Sequence, residues 1–201
     1  MPYPTTLNDY GQGASSLRWD DLRVPITSVR LGGVADPDFV IWRKNQAGSS
    51  TGVGCFAFSG TSVEQVYFQA QLPHGYAEGT TIEPHVHFTT TAAPVAGQTV
   101  KFGLEYTYGS VGDLFPVTET IYATKTFSAS DAAYQQHILG FDPGITDPDM
   151  TISAMFSCRL FRDATNDTYA PDALILEFDI HYQMDAAGSL NKLYKADLPQ
   201  T

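Results

Sequence analysis

Three stretches of this chain alternate apolar and polar residues with a period of two, and repeated alternation of that kind commits a chain to half-buried β-strands. In "VEQVYFQAQL" (63–72), Glu64, Val66, Phe68, Ala70 and Leu72 share one side, and Gln65, Tyr67, Gln69 and Gln71 the other. In "TVKFGLEYTY" (99–108), Phe102, Leu104, Tyr106 and Tyr108 oppose Lys101, Gly103, Glu105 and Thr107. "ALILEFDIHYQM" (173–184) sets Leu174, Leu176, Phe178, Ile180 and Tyr182 against Glu177, Asp179, His181 and Gln183. Less regular strand candidates lie at 55–59, 81–91, 118–127, 134–141 and 151–162. The best helical candidate, "SASDAAYQQ" (128–136), is too short to build a layer. The expected class is all-β, an antiparallel jelly-roll or Greek-key sandwich of about eight strands.

The alternation starts only after residue 50. Residues 1–50 carry Pro2, Pro4, Pro25 and Pro37 among scattered apolar anchors, and they read as an extended N-terminal arm. A sandwich domain at 51–184 and a C-terminal tail at 185–201 complete the expected layout. Trp19, Leu22, Val24 and Trp42 in the arm, with Leu190, Leu193 and Tyr194 in the tail, need something to bury against, so they are the expected interface residues. Deleting residues 1–45 is expected to abolish attachment and spare folding.

A formal charge of −11 sets the average field against nucleic acid and anionic membranes, so neither is an expected partner. No run of about 18 apolar residues occurs, and the start lacks the basic and apolar regions of a secretory signal, so synthesis in a cytoplasm is expected. Cys55 and Cys158 fall among apolar strand residues without metal-ligand spacing, and they read as buried free thiols.

Chemistry concentrates in "EGTTIEPHVHFTT" (78–90). In a strand His85 and His87 point to one side, the spacing that two ligands of one metal need. Gly79, five residues and then His85-Val86-His87 resemble the first motif of the cupin family, which opens a metal site inside a β-barrel. The Glu that follows in cupins has no counterpart in "FTTTAAPVAG", and a second cupin motif is missing, which leaves His181 as the nominee for a third ligand. Facing argues against an interior site, because Ile82, Pro84, Val86 and Phe88 form the apolar side of that strand. The expectation is therefore outward histidines, toward solvent or a subunit contact, with no bound metal or other cofactor. In "RDATNDTYAPD", Asp163, Asn166, Asp167 and Asp172 offer oxygen ligands, but the spacing and the missing glycine do not fit an EF-hand loop, and a solvated loop is expected. No nucleophile motif or phosphate loop is present, so no catalytic residue is nominated.

Across its length the chain resembles a family of virion proteins of tailed bacteriophages. The likeness is carried by "WDDLRVPITSVRLGG" (19–33), "VYFQAQLPHGYAEGTTIEPHVHF" (66–88), "FGLEYTY" (102–108), "CRLFRDA" (158–164) and "LEFDIHYQ" (176–183). It implies a structural, non-enzymatic virion component assembled in the host cytoplasm. The favoured role is a capsid decoration (cement) protein that contacts the major capsid protein, or another virion protein, and forms a homo-oligomer, with a trimer favoured. Two alternatives stand beside it: a tail, neck or fibre protein stacking host carbohydrate on Tyr76, Tyr108 or Tyr169, and a cupin-like metalloenzyme using His85, His87 and His181.

Overall fold

The computed structural model describes residues 17–185, 188, 189, 191, 192 and 195. It contains ten strands: β1 (Arg18–Pro25), β2 (Asp38–Arg43), β3 (Val53–Phe58), β4 (Glu64–Gln71), β5 (Glu83–Thr90), β6 (Thr99–Gly109), β7 (Glu119–Thr126), β8 (His137–Gly140), β9 (Met155–Arg162) and β10 (Ala173–Met184). One antiparallel sheet, here sheet A, runs β2-β3-β10-β5-β8, with β1 also paired to β10; the other, sheet B, runs β4-β9-β6-β7. The two pack as a β-sandwich whose core is made by alternate residues of both. Val66, Phe68, Phe102, Leu104, Phe156 and Leu160 of sheet B meet Phe58, Val86, Phe88, Ile175, Phe178 and Ile180 of sheet A.

Strands β3 to β10 answer the eight sequence candidates one for one, and the two additions lie inside the stretch read as an arm. β1 pairs with β10 from Arg18↔Met184 to Pro25↔Glu177, and β2 pairs with β3. Val24 and Ile26 are buried in the main core, and Leu22 packs against it. Leu22 and Val24 are thus core residues of their own chain rather than interface anchors. Trp42 is half-buried and stacks on Tyr134 of the β7–β8 loop, with ring centroids 6.1 Å apart, while Trp19 remains half-exposed at 52%. Both strands escaped the pattern because only Val24 of β1 is buried and nothing in β2 is, so neither alternates visibly in sequence. Deleting residues 1–45 would remove both strands and the buried Val24 and Ile26, so it is expected to destabilise the fold rather than spare it. Leu190, Leu193 and Tyr194 lie outside the described residues.

A β-bulge in β10, where the register on β5 shifts between Ile175 and Glu177, also changes the facing read from sequence. Beyond the bulge Phe178, Ile180 and Tyr182 face the core as expected. Before it the parity reverses: Ile175 enters the main core, and Leu174 joins Cys55 and Ala57 in a small apolar cluster on the outer face of sheet A, flanked by Val40, Trp42 and Leu176. Cys55 and Cys158 are free and buried, and burial pushes their thiols up to about 11 and about 12. The 128–136 segment is a chain of turns rather than a helix, and it lies along the end of β5, where Tyr134 N donates to Thr90 O at 2.7 Å.

Candidate functional site

The histidines of β5 lie on the face of sheet A opposite the core, as their parity requires, but they are not a solvated row. Register brings them to β10, where Asp179 stands directly across from His85 and Glu177 across from His87, and His181 is across from Glu83. Directly opposite side chains on one sheet face lie about 5 Å apart and diagonal ones within reach of long side chains, so Asp179 meets both imidazoles. His87 Nε2 lies 3.4 Å from Asp179 Oδ2, and His85 Nε2 lies against Oδ1. His85 and Asp179 are buried, at 3% and 4% exposure, and His87 is half-buried. The expectation of solvent-facing histidines therefore fails on exposure while holding on direction.

Several side chains on the same face close the site. The His181 ring packs on His85 with centroids 3.9 Å apart, Trp19 meets His181 edge-on, and Gln136 from the β7–β8 loop reaches His87 Nδ1 at 2.9 Å. His181 itself turns its Nε2 to Asp21 of β1 at 3.0 Å. Of the three histidines read as a metal set, two converge and the third does not; its place is taken by Asp179. On the β8 side Gly140 sits across from His85 and leaves that flank open, since a Cβ there would find its nearest neighbour, Asp142 Oδ1, at 4.0 Å. Gly79, the glycine of the cupin-like spacing, holds φ +74° in the turn before β5, with Pro148 O 2.9 Å from where a Cβ would be, so its role there is backbone geometry.

Electrostatics at the cluster turn on one buried carboxylate. Burial alone works against the His85 imidazolium, but the hydrogen bond and charge of Asp179 outweigh it and hold the His85 pKa above its usual value. Asp179 Oδ1 nevertheless has no well-directed hydrogen bond, one of the few buried polar atoms among the described residues left so. The group of His85, His87 and Asp179 offers three ligand atoms within 4.8 Å of one another. The sequence displayed both sides of this arrangement, as two polar rows, but not the register that joins them.

The second candidate, the 163–172 loop, is organised by a buried arginine instead of a cation. Arg162 occupies a core-facing position at the end of β9, where alternation calls for an apolar side chain, and it is fully buried. Its five N–H groups all have acceptors. Nε and Nη2 hold Asp167 Oδ2 and Oδ1 at 2.9 and 3.2 Å, Nη1 holds Phe58 O and Pro171 O at 3.0 and 2.9 Å, and Nη2 also donates to Tyr169 O. Asp163 is paired with Lys101 Nζ at 2.9 Å, and its carboxyl is held below the usual range: burial pushes it up, but the bonds from Lys101, Asn166 and Thr165 prevail. The aromatic platform expected for sugar binding is also corrected. Tyr76 and Tyr169 are buried, at 0% and 1%, and Tyr108 stacks on Phe156 with its hydroxyl on Asp147.

No protein-family model matches this chain, and no curated protein matches it.

Proposed function

We propose that this chain is a structural component of a tailed-bacteriophage virion, a decoration protein that sits on the capsid shell and ties neighbouring shell subunits together. The observation that supports the reading is exposed apolar surface concentrated in one loop. The β6–β7 loop exposes Val111, Leu114, Phe115 and Val117, with Leu114 at 92% and Val117 at 88%. Leu114 and Pro116 line an open cleft with Tyr108, Asp147 and Asp149. Clustered exposed apolar side chains of this kind mark interaction surfaces.

A second patch supports assembly. Sheet A is one strand position wider than sheet B, and its edge strand β2 overhangs. Phe39 and Ile41 lie across from Phe56 and Gly54, on the core-facing side of the sheet, yet are 58% and 47% exposed. An edge strand with free backbone groups and exposed apolar side chains invites a partner, and the favoured partner is another copy of this chain. Several weak contacts engaged at once give such a protein its holding strength. No reaction is assigned to it, and of the tyrosines the sugar-binding alternative rested on, Tyr76 and Tyr169 are buried and Tyr108 alone reaches an open cleft.

Leu114→Ser combined with Val117→Ser tests the reading, because neither side chain contributes to the core. The variant is expected to keep the wild-type melting temperature and to lose incorporation when added to particles lacking the protein. Normal incorporation of the variant would remove the loop from the attachment surface.

A further inference from the structure

We propose that His85 Nε2, His87 Nε2 and a carboxylate oxygen of Asp179 bind a divalent first-row transition ion, zinc in the first instance, on the outer face of sheet A. The inference stands apart from the virion reading and holds or fails without it.

Three observations carry it. The three ligand atoms already lie within 4.8 Å of one another on two adjacent central strands, so little movement assembles the site. Each imidazole is anchored at Nδ1 from outside the cluster, His85 by Glu83 O at 3.3 Å and His87 by the Gln136 amide at 2.9 Å, which turns both Nε2 atoms toward Asp179. That outer hydrogen bond is how ligating histidines are oriented, and either end of an amide can serve, with the carbonyl oxygen accepting from Nδ1–H. Asp179 Oδ1 is buried and faces the cluster, with His85 Nε2 against it but no well-aligned hydrogen bond. A buried carboxylate in such a place draws a cation, and a divalent ion between it and both Nε2 atoms would satisfy all three groups at once.

Donor chemistry selects the ion. Two imidazole nitrogens and one carboxylate suit zinc, cobalt, nickel or iron, whereas calcium and magnesium favour all-oxygen shells. Three protein ligands leave at least one position for water, and the open flank at Gly140 together with the half-buried edge of His87 provides room for it. Glu83 and Asp21 on the same face add negative charge that draws a cation inward, while Glu177 is paired with Arg23 at 2.7 Å. The arrangement differs from the cupin-like set in its third ligand and in its side of the sheet. His181 serves as a lid over His85 and is not a ligand.

The test uses the full chain, treated with chelator and then titrated with ZnCl2 and, separately, CoCl2. One equivalent of either ion is expected to bind, with a rise in melting temperature and visible absorption from cobalt. Asp179→Asn and His87→Gln are each expected to weaken binding by roughly tenfold or more, at least as much as loss of an outer-shell partner does. His181→Gln should bind like wild type. Should Asp179→Asn fail to fold, His87→Gln decides, since that side chain is partly exposed and its replacement is close in shape. Absence of binding of both ions to folded wild type overturns the proposal. So does binding that survives His87→Gln, or binding lost in His181→Gln alone.

Discussion

Replacing Arg162 by Met is expected to destabilise the fold by about 3–5 kcal/mol, the range for removing one partner of a buried ion pair. The reason lies in what the guanidinium leaves behind. Asp167 would remain as a buried charge with only the Lys101 backbone N–H at 3.3 Å, and Phe58 O, Tyr169 O and Pro171 O would each lose a donor inside the sandwich end. A side chain of similar length cannot mend this: Arg162→Lys keeps the charge but not the planar five-donor fork, so it too should be strongly destabilising. Urea unfolding of both variants measures the effect. A loss of less than about 1 kcal/mol for Arg162→Met, the scale of a single ordinary hydrogen bond, would show that the loop holds its shape without the arginine.

The second large effect is at the histidines. Solvent-exposed polar residues would allow His85→Ala with His87→Ala at little expense, within about 0.5 kcal/mol. With Asp179 buried between them, the same pair of substitutions strands a carboxylate away from water. About 3 kcal/mol of destabilisation is then expected at neutral pH, measured in the presence of chelator so that only the protein's own interactions count. The mechanism makes a further demand. Adding Asp179→Leu to the double variant removes the stranded charge and should restore much of the lost stability, whereas lost packing alone would not be repaired. A double variant as stable as wild type would return the histidines to an ordinary polar surface.

These two sites also mark where the sequence was legible and where it was not. The alternation at 63–72, 99–108 and 173–184 is visible because one face of each strand is buried in a continuous core, and the eight strand candidates drawn around it all correspond to strands. β1 and β2 were hidden because their stabilisation comes from backbone pairing with β10 and β3 and from few buried side chains. The bulge at Ile175–Glu177 was hidden because Leu174 with Leu176 and Phe178 with Ile180 face opposite sides of the sheet yet share one sequence parity, so they read as one uninterrupted row. For the histidines, parity correctly gave the side of the sheet. It is silent about cover, and here the cover comes from His181, Trp19 and the 128–136 loop, which pattern reading does not place over β5. Arg162 follows the same lesson in reverse: a charge in a core-facing row signals a buried network, whose acceptors are set by the loop's fold.

The most direct measurement of the functional account is the density of the intact particle. The account requires a ten-stranded sandwich repeated over the capsid shell at junctions between shell subunits, with the β6–β7 loop or the β2 edge facing the contact. Density for this fold confined to the tail or neck, or absent from the particle altogether, would contradict it.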